Sequence, residues 1–145
     1  MHSNVTRTDI VETARKYLGV RWRHQGRNEL GIDCVGLIVR TAHDLGLSDY
    51  DSTNYKRRST GLEFINHFRN NMREKSFAER KPGDVILFRD DVYPCHCGIV
   101  GQQGSELTVI HAYAVSRKVI EEPIRQGSWI EKAVACFEFI GVTDG

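Results

Sequence analysis

Apolar residues in this chain change their spacing once, at Lys81-Pro82-Gly83-Asp84, and that change limits the folds open to it. Before it, Ile10, Val11, Ala14 and Leu18 recur at helical intervals, as do Val35, Leu37, Ile38, Val39, Ala42 and Leu45. Thr8 is placed to cap the first helix and Gly19 to end it; Asp33 caps the second and Gly46 stops it. Leu62, Ile65, His67, Phe68 and Met72 predict a third, covering helix. Pro82 and Gly83 suit the central positions of a type II turn, and Val85-Ile86-Leu87-Phe88 follows as a buried strand. Gly98-Ile99-Val100, Leu107 to Tyr113, Lys118 to Ile120 and Ala133 to Ile140 then read as strands of one antiparallel sheet. Helices first and strands second predict an α+β fold, with N-terminal helices packed on an antiparallel β-sheet. The 145 residues suffice for one core, so residues 1–145 are expected to form a single domain.

A net charge of +1 with mixed signs provides no basic field for a nucleic-acid partner, and Lys56-Arg57-Arg58 reads as a solvated loop. Met1 to Asp9 is polar and lacks an apolar signal core, and no run approaches the roughly 20 residues of a membrane span. The chain is therefore expected to be made in the cytoplasm without a signal peptide and to have no membrane span. Its four cysteines read as free thiols, because a chain with a core of its own needs no disulfide frame.

The stretch Asp33-Cys34-Val35-Gly36-Leu37 carries chemistry. The Asp33 carboxylate can accept the N–H of Val35 or Gly36, leaving the Cys34 N–H unclaimed. A thiol at the first turn of a buried helix feels the positive end of the helix dipole, which favours thiolate and suits a nucleophile. Cysteine is also a common core residue, as Cys97 and Cys136 read here. Downstream, Gln102-Gln103-Gly104-Ser105 is a plausible four-residue hairpin loop, and closing it there sets His96 opposite His111 on one sheet face. A thiol, a base and a third polar group that orients the base are what cysteine catalysis needs, and Cys34, His96 and His111 provide these types. The alternative is two partly buried structural histidines. Cys95-His96-Cys97 is no metal site on this reading, since successive strand residues point to opposite faces. No cofactor motif is present.

In order along the chain, Asp33-Cys34-Val35-Gly36-Leu37, Pro82-Gly83-Asp84, His96-Cys97-Gly98-Ile99-Val100 and His111-Ala112-Tyr113 resemble the NlpC-type family of papain-like cell-wall cysteine peptidases. The resemblance spans nearly the whole chain. It implies a papain-like fold in which Cys34 attacks, His96 is general base and acid, and His111 orients His96. The implied substrate is a peptidoglycan stem peptide, typically cut between the γ-carboxyl of D-glutamate and the following diamino acid. Trp22-Arg23-His24-Gln25-Gly26 and His111-Ala112-Tyr113 look most like the phage and gene-transfer-agent branch, which implies tail proteins as partners and action at the bacterial cell wall. Many members carry Ser and Tyr where this chain has Val35 and Trp22. Trp22, His24, Asp33 and Val35 are thus candidates for substrate or oxyanion contact. An amidase or acyltransferase on the same fold, and a non-catalytic tail subunit, are the alternatives.

Overall fold

Thr6, two positions before the residue expected to cap, opens the first helix of the computed structural model, which describes residues 4–55 and 63–144. Thr6 accepts the Asp9 N–H while the Asp9 carboxylate accepts the Thr6 N–H, a reciprocal capping box that Thr8 cannot form. Helix α1 (Arg7–Arg15) ends before Leu18, which is left 42% exposed. The loop expected over Arg21 to Ile32 contains a short antiparallel ribbon, β1 (Arg27–Asn28) and β2 (Gly31–Ile32). Helix α2 (Cys34–Asp44) buries Leu37, Ile38, Val39 and Ala42, and α3 (Glu63–Asn71) buries Phe64, Ile65 and Phe68. Leu62 and Lys56-Arg57-Arg58 lie outside the described residues.

The sheet has six strands in the order β3-β8-β4-β5-β6-β7, each antiparallel to its neighbours. They are β3 (Arg73–Lys75), β4 (Val85–Arg89), β5 (Pro94–Gln103), β6 (Glu106–Tyr113), β7 (Lys118–Pro123) and β8 (Ala133–Glu138). The α+β fold is thus the one expected, with small additions. Strand β3 and a one-turn helix, α4 (Trp129–Lys132), carry too few apolar residues for periodicity to reveal them. Strand β8 stops at Glu138, and Ile140 is 57% exposed. The type II turn forms as expected: Gly83 has φ of 90° and the Asp84 N–H donates to the Lys81 carbonyl at 3.1 Å.

Helices α1, α2 and α3 cover one sheet face, where Ile10, Leu37, Phe68, Leu87, Ile99 and Ile110 meet in the larger core cluster. A smaller cluster contains Ile86, Phe88, Val100 and Val109, with Trp129 of α4 packed on it. Asp84 pins the start of α1 to the sheet. Fully buried, it pairs with Arg7 at 2.6 Å and Lys75 at 2.9 Å, and Arg7 also reaches Glu138 at 2.8 Å. The Pro-Gly-Asp motif therefore ends on a structural carboxylate, one whose two cations offset the cost of burying it.

Candidate active site

Cys34 is the first residue of α2 and stands half-buried at the positive end of that helix. Asp33, 2% exposed, fixes the local backbone. One carboxylate oxygen accepts the Gly36 N–H at 2.7 Å and an Arg27 N–H at 3.1 Å. The other accepts the Gln25 N–H and the Tyr55 hydroxyl, each at 2.7 Å. The cap thus takes Gly36 and not the Cys34 N–H. Arg27 also donates to the Tyr55 oxygen at 2.8 Å. Burial and then the Asp33 charge raise the Tyr55 pKa, so the phenol keeps the proton it donates. A side chain at Gly36 would collide with the Gly26 carbonyl and Ile32; glycine lets the first turn of α2 lie directly against the upstream loop.

The histidines come together by a different register from the expected one. Gln103 pairs with Glu106 and Ile99 with Ile110, so the hairpin closes on the two residues Gly104-Ser105, not on four. The shift is two residues. His111 therefore lies against Gly98, where any side chain would run into it and into Val109. Side chains alternate between faces, so a two-residue shift preserves the shared face, and the rings meet diagonally. His96 Nε2 lies 2.7 Å from His111 Nδ1, and His111 Nε2 lies 2.8 Å from Glu122 Oε2. His96 stacks on Phe88 at 5.8 Å, and Trp129 contacts both imidazoles. Burial pushes the pKa of His111 down to about 3, which keeps it neutral. Burial also lowers His96, while its hydrogen bond with Cys34 pulls the other way.

Cys34 is hydrogen-bonded to both the Cys97 thiol and the His96 ring. The Cys97 bond is the largest influence on the Cys34 pKa; burial opposes it, His96 adds to the lowering, and the thiol settles at about 5. Cys97 is raised well above the usual thiol range by burial and by the same contact, which makes it the donor and Cys34 the anion. Cys97 is therefore a core residue, as expected from the sequence, that also touches Cys34.

Cys34 and His96 both open onto a cleft of about 910 Å³, lined also by Trp22, His24, Tyr55 and Lys132. The Trp22 and His24 rings lie 6.5 Å apart, with Tyr55 set edge-on to His24 at 6.0 Å. Asp33 also lines the cleft, with its carboxylate committed to protein partners. Val35 does not join them: its side chain lines a separate apolar cavity with Ile38, Phe64 and Phe68. Glu122, Tyr55, Trp129 and the Cys97 contact escape a reading of sequence alone. Only Glu122 had a usable signal. Strand β7 runs past Ile120 to Pro123, and alternation along it sets Glu122 on the face of His111, whose partner is Ile120.

Many solved structures share this fold. An NlpC/P60 family protein from Bacillus cereus superposes with a TM-score of 0.72 at 19% identity, covering 94% of this chain and 41% of that one. A lipoprotein-like NLP/P60 family protein from Staphylococcus aureus gives 0.67 at 20% identity, covering 92% and 41%. The NlpC/p60 domain of the peptidoglycan hydrolase SagA gives 0.65 at 17%, covering 92% and 99%. This chain thus spans about two fifths of the first two proteins and nearly all of the third domain. None of the curated proteins matches the sequence. The NlpC/P60 family pattern matches residues 19–138, which contain Cys34, His96, His111 and Glu122 alike, and the chain belongs to that family.

Proposed function

We propose that the protein is a cysteine peptidase of the bacterial cell wall that cuts amide bonds in peptidoglycan stem peptides. One observation carries this reading: a thiol at a helix N-terminus, held low by hydrogen bonds, faces a histidine that is itself bonded to a second, neutral histidine. Family membership and the likeness to SagA support the substrate class. The Cys34 thiolate attacks the amide carbonyl, and the backbone N–H at the start of α2 stabilises the oxyanion. His96, holding the proton given up by the Cys34 thiol, protonates the leaving amine and then draws a proton from the water that hydrolyses the thioester, while His111 orients it. The bond we assign is that from the γ-carboxyl of D-glutamate to the following diamino acid. We further propose that the protein acts at the cell wall as part of a phage tail, a reading supported by the sequence of the Trp22 loop and of His111-Ala112-Tyr113.

Purified peptidoglycan incubated with wild type and with Cys34→Ala tests this reading. Wild type should release free amino groups and fragments ending in γ-D-glutamate, and the variant should release none. Equal release by both would remove Cys34 from the chemistry. Fragments cut at the muramoyl–alanine bond would make the protein an amidase.

A further inference from the structure

We propose that Glu122 is a positioning residue that fixes the tautomers of both histidines, so that the nitrogen presented to Cys34 is His96 Nδ1. The inference rests on the Cys34–His96 reading above and goes one residue beyond it.

The Glu122 carboxylate only accepts hydrogen bonds, so the His111 nitrogen 2.8 Å from it, Nε2, carries the hydrogen. His111 is fully buried and neutral, and a neutral imidazole has one N–H. Its Nδ1 is therefore a bare acceptor. His96 Nε2, 2.7 Å away, must then be the donor. In neutral His96 that assignment leaves Nδ1 without hydrogen, and this is the nitrogen free to take the thiol proton. The opposite polarity would aim the lone pair of the buried His111 Nε2 at a carboxylate oxygen 2.8 Å distant, a repulsive contact. When His96 takes up a proton at Nδ1, both existing N–H bonds persist unchanged. No proton passes to His111 or to Glu122.

The fold places Glu122 for this purpose. His111 pairs with Ile120 across β6 and β7, and Glu122, two residues on, shares its face. The other rings packed on His111 among the described residues are those of His96, Tyr113 and Trp129. Glu122 also remains 23% exposed at its side chain, which spares it the full cost of burying a charge beside a neutral ring.

Nitrogen NMR of the two rings reads the tautomers without any turnover. In wild type at neutral pH His111 should show Nε2–H and an unprotonated Nδ1, and His96 an Nε2–H that persists whether or not its Nδ1 holds the Cys34 proton. Glu122→Leu should lose that preference at His111 and, through it, at His96. Glu122→Gln, whose amide oxygen accepts the same hydrogen, should restore it. In peptidoglycan cleavage Glu122→Leu should lower kcat by about ten- to a hundredfold with KM little changed, with partial recovery in Glu122→Gln. Wild-type tautomers retained in folded Glu122→Leu, or an Nδ1–H on His111 in wild type, would overturn the proposal. Tautomers that change while kcat does not would uphold it and instead remove His96 as the base.

Discussion

The two sides of the cleft are built on opposite principles. The Cys34 side is held by charge: the Asp33 carboxylate takes four hydrogen bonds, one from the half-buried Arg27, and every one fixes backbone or loop around Cys34. On the His96 side, two imidazoles, His111 of them neutral, join at 2.7 Å among Phe88, Tyr113 and Trp129, with a carboxylate only at the far end. The first arrangement fixes position and the second fixes protonation. Damage to each should therefore be read in different observables.

The largest effect should come from the atom where the two sides meet. Cys34→Ala should lower turnover by about 10⁴-fold or more while the folded spectrum and melting temperature stay near wild type. Wild-type turnover in this variant would end the comparison, since neither side would then serve chemistry. Asp33→Ala should break the fold on the Cys34 side. It leaves Arg27 without its buried partner and the Gly36 and Gln25 N–H groups unpaired, costing about 3–5 kcal/mol in denaturant unfolding. A loss below about 1 kcal/mol would show that the four bonds are replaced by water.

His111→Asn should act on the His96 side through pH. The folded pKa of His111 is about 3 against an ordinary 6.5, so below pH 6.5 the unfolded chain binds a proton that the folded chain refuses. Stability should therefore fall on acidification through that window, by up to about 1.4 kcal/mol per pH unit from this residue. The variant should flatten the slope between pH 6.5 and 5, before the lowered carboxylates Glu121 and Glu138 begin to lose their charge. An unchanged slope would mean that His111 is protonated in the folded state. The smallest effect is expected from Cys97→Ala, which removes one hydrogen bond and should shift the pH midpoint of Cys34 alkylation upward, by about one unit. A midpoint that stays put would leave His96 and the helix as the sole causes of the lowering.

How much of this was legible in sequence depended on how local each signal is. The Asp33 cap and the α2 periodicity are contiguous patterns, so the start of that helix was read correctly, down to a cap that spares the Cys34 N–H. The histidine pair was reached through a wrong turn. Four loop residues were expected where Gly104-Ser105 suffices, and the shared face survived because an error of two residues preserves alternation. The partners of Asp33 are not legible, because Tyr55 meets it only once the polar segment 48–55 has folded back to it, and Arg27 only across the short β1–β2 ribbon. Cys97 reads as an ordinary core residue for the same reason. Its neighbours on the strand say nothing of the helix end that packs above it.

The most direct measurement is the rate of Cys34 alkylation as a function of pH, followed by mass spectrometry of the Cys34 peptide. An activated nucleophile should show a midpoint well below the value of about 8.5 for a free thiol, and His96→Ala should move it upward. A midpoint at or above 8.5 in wild type, unmoved by His96→Ala, would contradict the account and leave Cys34 a structural cysteine.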